Sequence, residues 1–472
     1  MVENNEKVNN KLCGTKSVSY TIEKPQENDP ATFEKAVVAT GFGKFNVFLI
    51  LLTLPPAFSQ IFETASMSYV LPIAQCDLNL SLSDKGMLNA ITFAGMITSG
   101  FVWGYLCDAA GRKKIMVIGY LLDGLFVLMA SISQNFTMLL IAKFFGGLII
   151  NGPYSAATSY LSEFHASQYR ARVQIARGII ASLGNIVLPL LAWSILPQNL
   201  NFTIKDYIDT YPIKDLDDET LVNGAKATST EYTNSAKKSI VEGLYQIKPL
   251  FCRPHIFKLV HVCANAVLVL MSVNTLKLWF PQLFQAINDY EFTHNGSSSN
   301  MCNMLDTLKT KNATSSICVV NLDNSSVYIN AIIVGMTSML MFGIAGTLVN
   351  MLGKKGLTVS MALIAGLCAT SIYFAQNSFT VLVLSAIFLS FGAVCGNVLV
   401  TITLELFPTT LRAMALSLYF MFARSGTIIG NMVFPMLLTA GCLPPFLFVG
   451  AVIFSCAGLT FLYPNTENKA LT

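Results

Sequence analysis

The sequence predicts an all-α membrane protein of about eleven transmembrane helices in two bundles, on three observations. Apolar windows long enough to cross a hydrocarbon core of ~30 Å as helices recur along the chain. Of its 472 residues 53% are hydrophobic and 12% charged, too little polar surface to cover a soluble globule of that size. A short basic stretch between two apolar runs, G-Y-L-C-D-A-A-G-R-K-K from Gly104 to Lys114, returns as G-T-L-V-N-M-L-G-K-K from Gly346 to Lys355. Barrel strands would alternate apolar and polar residues, and these windows do not.

Residues 1–43 form a polar tail, expected on the cytoplasmic side. They hold no apolar core behind a basic end, so the first span is expected to act as the targeting signal. Five spans follow, near 45–73, 86–107, 115–133, 137–160 and 174–196, and make an N-terminal bundle over 44–196. Residues 197–257 hold no window apolar enough to cross. Their balanced charges, as in K-D-L-D-D-E from Lys214, mark a polar linker with a short amphipathic helix near 239–247. Six spans near 259–287, 327–349, 357–375, 379–402, 413–439 and 444–463 make the C-terminal bundle over 258–464, ahead of a short tail at 465–472.

Lys and Arg fall in alternate connections. Arg112, Lys113, Lys114, Arg170, Arg172, Lys354, Lys355 and Arg412 share one side, which the positive-inside rule makes cytoplasmic. The loop 288–326 then lies on the luminal or extracellular side. It carries three glycosylation acceptors, Asn295, Asn312 and Asn324, and two cysteines, Cys302 and Cys318, that are candidates for a disulfide there. The remaining cysteines lie mostly in apolar runs and read as small buried hydrophobes.

Several function classes lose support. No Cys-x-x-Cys or His-x-x-x-His pair offers a metal or haem site, and no phosphate loop or nucleophile elbow appears, so neither a metal nor another cofactor nor an enzymatic role is expected. A net charge of +4 gives no reason to expect nucleic acid. The lipid bilayer is the partner that the composition demands.

One offset of 242 residues aligns the two halves. It carries Gly104 to Gly346, Asp108 to Asn350, Gly111 to Gly353, Lys113 to Lys355, Gln134-Asn135 to Gln376-Asn377, Glu163 to Glu405 and Arg170 to Arg412. The pair G-N-I-V-L-P at Gly184 and G-N-M-V-F-P at Gly430 needs an offset of 246. A duplication of this size in a membrane chain predicts two bundles related by an axis along the membrane normal, the build of an alternating-access transporter.

The stretch G-x-L-x-D-x-x-G-R-K-K after the second span resembles the signature loop of the major facilitator superfamily. Y-L-S-E-F-H-A-S-Q-Y-R and L-E-L-F-P-T-T-L-R resemble its sugar and organic-ion branches. G-F-G-K-F-N, Y-V-L-P and S-Y-L-S-E-F are similar to synaptic vesicle glycoprotein 2 and its transporter-like relatives. The resemblance covers roughly residues 33–464 and implies the two-bundle fold of that superfamily. It also implies a latch at the cytoplasmic helix ends, in which Glu163 joins Arg170 and Glu405 joins Arg412. Gly104 and Gly111 would allow close approach and a tight reversal there, with Asp108, Arg112 and Lys113 as its charges. In the second half Gly346, Asn350, Gly353, Lys354 and Lys355 take those places.

Ionisable residues inside spans are the other candidates, because charge within a membrane is costly. Glu63 is expected to line the central cavity as a proton or cation site. The resemblance implies an acid at the position that Gln60 holds, so a two-acid mechanism is missing one member. Asp123 is a lesser cavity candidate, and Lys143 is read as a structural salt-bridge partner. Lys277, close to a span end, reads as snorkelling to the interface. Asn185 and Asn431, alike in the two halves, either face the cavity or cap a kinked helix. Gly146-Gly147 and Gly392 with Gly396 read as close helix packing.

The superfamily implies twelve spans, and the sixth is missing. Where relatives continue from A-W-S-I-L-P into another helix, N-L-N-F-T-I-K-D-Y leads directly into linker-like sequence, as a skipped exon joining near 202–205 would produce. If every apolar run crosses once, the two copies of the basic loop fall on opposite faces. The expected function is transport of a small organic solute or ion, with a proton or cation as a candidate coupling partner, in a plasma or vesicle membrane. The alternatives are a non-transporting membrane protein on a transporter fold and an inactive truncated isoform.

Overall fold

A computed structural model describes residues 40–78, 80–165, 167–196, 255–294, 301–310, 325–407 and 409–463. Cys318, Asn295, Asn312, Asn324 and the helix expected near 239–247 lie outside the described residues. Twelve helices follow in order: α1 Lys44–Leu51, α2 Leu54–Asp77, α3 Leu82–Ala110, α4 Arg112–Ser131, α5 Phe136–Glu163, α6 Ser167–Ile195, α7 His255–Thr293, α8 Met301–Thr310, α9 Ser326–Ser371, α10 Ser378–Leu406, α11 Thr409–Ala440 and α12 Leu443–Phe461.

The first apolar run is broken, because Pro55 and Pro56 open α2 and so end α1 just before it. Non-helical backbone at Gly353 divides α9 into two limbs. Ten membrane-crossing helices pass on length and composition. Only α3 among the long helices falls outside that set, yet it packs between α5 and α11. With it, eleven long helices stand as five and six.

Loop 288–326 is more structured than its polarity implied. Helix α7 continues to Thr293, and α8 buries Met301, Met304 and Leu305 at i, i+3 and i+4. That placement corrects the expected disulfide. Cys302 on α8 bonds to Cys442 beside the start of α12, not to Cys318, because the buried face of α8 holds Cys302 against the α11–α12 turn. Cys107, Cys263, Cys368, Cys395 and Cys456 are buried.

Duplicated sequence becomes duplicated structure. Asn135 accepts from the Met138 amide at 2.8 Å and Asn377 from the Thr380 amide at 2.7 Å, so the repeated Gln-Asn pair is an N-cap in each half. Gly111 and Gly353 both have positive φ, 84° and 69°, where glycine avoids the steric cost of a Cβ. Gly184 packs on Ile61 of α2 and Gly430 on Thr275 of α7, letting α6 and α11 approach the first helix of their own half.

Contacts also fix which ends share a face. His261 lies against Tyr463, whose carbonyl accepts from Lys355, so α7 begins on the lysine-bearing face. Gly178 meets Phe342 and Gly335 meets Ile186, so α6 runs antiparallel to the first limb of α9 and ends near Ser326, on the opposite face. Ile115 at the start of α4 clusters with Ala156 near the end of α5, and Asn46 reaches the Phe164 carbonyl, which puts Gly111 on the face of Lys354. The two basic loops therefore share one face, contrary to the count of single crossings. The segment 197–254 joins ends on opposite faces.

The two halves differ in their cores. The second bundle has one continuous apolar core, whereas four smaller clusters serve the first. Helix α12 accounts for much of the difference by covering both α7 and the second limb of α9. A Cβ on Gly366 would lie 2.6 Å from Phe454 of α12, while Gly124, its counterpart at the 242 offset, has nothing within 4 Å. Around Gly124, Leu121 and Leu128 are 72% and 65% exposed. No described helix covers this face of α4.

Candidate functional site

Helices α2, α3 and α6 of the first bundle meet α7, α9 and α11 of the second in three contacts, α2 on α7, α3 on α11 and α6 on α9. Between them lies a cavity of about 350 Å³. Prolines inside the helices, Pro153 of α5, Pro189 of α6, Pro281 of α7 and Pro435 of α11, remove backbone bonds near this interface and allow the helices to bend around it.

From the first bundle, Gln60 and Tyr69 of α2, Tyr154 of α5, and Arg177 and Asn185 of α6 reach the wall. Arg177 donates to the Tyr154 hydroxyl at 3.0 Å and to Thr158 at 3.5 Å, with its guanidinium 6.0 Å from the tyrosine ring. Gln60 gives one hydrogen bond to the Met96 sulfur at 3.8 Å, and its Oε1 is buried without a partner. Asn185 donates to the Ala181 carbonyl at 3.2 Å.

The second bundle contributes Asn274 and Lys277 of α7, with aromatic rings from Phe280 and Phe284. Asn274 is held by Thr427 at 3.0 Å. Lys277 has no ion pair or hydrogen bond among the described residues. It sits in the interior of α7, which is longer than its apolar run, so the expectation of snorkelling is corrected: this lysine faces the cavity.

The two asparagines divide. Asn431 donates to the Thr427 carbonyl at 2.9 Å, as Asn185 does to Ala181, but it is fully buried and its backbone carbonyl lies against Gly86. It belongs to the α3–α11 seam. Gly392 packs on Val273, while Gly396 has open space beside it and lines the cavity, against the packing role expected of it.

Glu63 and Asp123 stand behind the wall, not on it, which corrects their expected place. Glu63 Oε2 lies 3.2 Å from Lys143 Nζ, and Lys143 also reaches Ser66 at 3.4 Å. Asp123 accepts from Ser59 at 3.2 Å. The second carboxylate oxygen of each acid is buried without a partner. A Cβ on Gly146 would lie 2.5 Å from Glu63 Oε1, so that glycine makes room for the carboxylate. Helices α2, α4 and α5 thus enclose two acids and one lysine, and the pull of Lys143 draws Glu63 away from the cavity.

On the lysine-bearing face, Lys354 pairs with Glu405, joining the second limb of α9 to α10. Lys355 donates to the Tyr463 carbonyl at 2.8 Å and lies 5.0 Å from the Phe461 ring. Lys113 is exposed and Arg112 half-buried, both at the start of α4. Gly104 and Asp108 of α3, Glu163 of α5, Arg170 of α6, Asn350 of α9 and Arg412 of α11 lie on helices, with side chains outside the described set. Gly346, half-buried on α9, has nothing within 4 Å of its Cβ position.

Comparison with known proteins agrees with this architecture. The Major Facilitator Superfamily matches residues 45–203. Synaptic vesicle glycoprotein 2B of Rattus norvegicus is 30% identical over 166 residues, 35% of this chain and 24% of the relative. Synaptic vesicle glycoprotein 2A of Homo sapiens is 29% identical over 175 residues, 37% of this chain and 24% of the relative. The match thus spans about a quarter of those relatives. Among solved structures, a D-xylose-proton symporter superposes with a TM-score of 0.62 at 16% identity, over 90% of this chain and 99% of its own. The partially occluded, inward-open xylose transporter of E. coli gives 0.63 at 14% identity, over 91% and 100%. At such identities the likeness is one of fold.

Proposed function

We propose that this chain, whose N-terminal bundle carries the sequence of the Major Facilitator Superfamily and whose whole body carries its fold, is a multi-pass membrane carrier of a small organic solute or ion. The observation that supports this most is the cavity of about 350 Å³ at the seam of two repeated bundles, with polar side chains from both. A solute held there touches both bundles, so rocking one against the other exposes it to each face in turn. Each rock would break and remake the contacts between the bundles, α2 on α7, α3 on α11 and α6 on α9.

Glu63, Lys143 and Asp123 are the groups suited to couple a proton or cation to this motion. They carry one more acid than base and two unpartnered oxygens. Uptake of labelled solutes into proteoliposomes containing the purified chain tests the reading. Solute accumulation that needs the protein is expected, and its absence across neutral, anionic and cationic solutes refutes carriage.

A second reading is favoured by the bare face of α4. A first bundle whose α4 face no described helix covers fits a non-transporting membrane protein built on a carrier fold. Refolding of that bundle without uptake activity is the outcome that distinguishes it.

A further inference from the structure

Charge on the cavity wall has one sign. Arg177 of α6 and Lys277 of α7 both line it, and no aspartate or glutamate does among the described residues. Arg177 is held by two hydroxyls, at 3.0 and 3.5 Å, and by no carboxylate among the described residues. Lys277 has no ion pair or hydrogen bond among the described residues. The acids nearest in kind, Glu63 and Asp123, are taken up by Lys143 and Ser59 on the far side of α2.

An unpaired cation withdrawn from water between membrane helices is strongly destabilising unless something supplies the opposite charge. The described residues supply none at this place, so the counter-charge is assigned to the solute. From this we infer that the cavity takes a small organic anion, bearing a carboxylate or an equivalent group and an apolar body. The inference rests on the carrier reading for its consequence in transport, but its binding claim stands on the wall alone.

The wall fits both parts of such a molecule. Arginine offers a planar fork that matches a carboxylate, and lysine a compact charge on a flexible stem. Phe280 and Phe284 line the cavity one and two turns beyond Lys277 on α7, where an apolar body would rest. The two cations belong to different bundles. An anion bridging Arg177 and Lys277 would replace repulsion between like charges by a link across the seam, favouring closure only when occupied. A neutral solute gives no such gain.

The experiment is equilibrium binding to the full chain in lipid nanodiscs, followed by calorimetry and by the thermal unfolding midpoint. The probes are benzoate, its neutral relative benzamide, its cationic relative benzylammonium, and sulfate. Benzoate is expected to bind at least about tenfold more tightly than the other three. Lys277→Gln is expected to weaken benzoate by about tenfold or more while the empty protein's unfolding midpoint does not fall, and Lys277→Arg to retain binding. Equal binding of benzamide, or unchanged benzoate affinity in Lys277→Gln, overturns the inference. Equal binding of sulfate overturns the organic part of it, and no binding of benzoate by folded protein overturns it whole. Benzoate binding without uptake into proteoliposomes would refute the carrier and leave the anion site, whereas uptake of a neutral solute unaffected by benzoate would do the reverse.

Discussion

Lys143 Nζ lies 3.2 Å from Glu63 Oε2 across the α2–α5 contact, with both side chains almost wholly removed from solvent. Removing either partner leaves a buried charge without its counterion. Glu63→Gln and Lys143→Ala are each expected to lower stability by about 3–5 kcal/mol. The double variant Glu63→Met with Lys143→Met should recover most of that loss. Unfolding midpoints in detergent measure it, and two single variants as stable as the parent would show that the pair is not closed.

Gly124 and Gly366 predict opposite responses to one change. Gly366→Leu drives a side chain into Phe454 and should cost about 1–3 kcal/mol by overpacking. Gly124→Leu meets open space and should stay within about 0.5 kcal/mol of the parent. Equal losses at the two sites would mean that the face of α4 is covered.

The link from Cys302 to Cys442 closes 140 residues of the second bundle. Non-reducing peptide mapping is expected to find these two cysteines in one cross-linked fragment, and a fragment joining Cys302 to Cys318 would refute it. Cys442→Ser should lower stability by about 2–4 kcal/mol under oxidising conditions.

Asn312 lies between α8 and α9, whose flanking ends stand on the face opposite Lys354. Translation with microsomes is expected to add a glycan at Asn312, removed by an endoglycosidase and abolished by Asn312→Gln. An unmodified Asn312, with a glycan instead at Asn135, would mean the reverse orientation of the second bundle.

Much of the architecture was legible in the residues, because a duplication states each local rule twice. Asn135 and Asn377, or Gly111 and Gly353, could be paired from spacing alone, and each pair does the same thing in both halves. Pairings set by tertiary approach were not legible. Nothing local to Cys302 points to a cysteine 140 residues away, and nothing local to Glu63 says that Lys143 will draw it off the cavity. Lys277 was misplaced because the apolar run understates the length of α7. Arg177 was overlooked for the same kind of reason: near the start of an apolar run it reads as one more basic residue of a cytoplasmic helix end, and only the folded seam turns it inward.

The opposite-face ends of α6 and α7 also bear on how this protein is made. A translocon that lays helices down in order, each reversing the last, would deliver α7 upside down after the five long helices of the first half. The second bundle reaches the orientation described here only if the end of α6 and the start of α7 come to rest on opposite faces during synthesis. By the positive-inside rule, Lys354 and Lys355 would supply the pull. Biogenesis is then a contest between order of emergence and local charge, and anionic lipid on the leaflet that faces those lysines, which holds them more firmly, tilts the outcome towards the two assembled bundles.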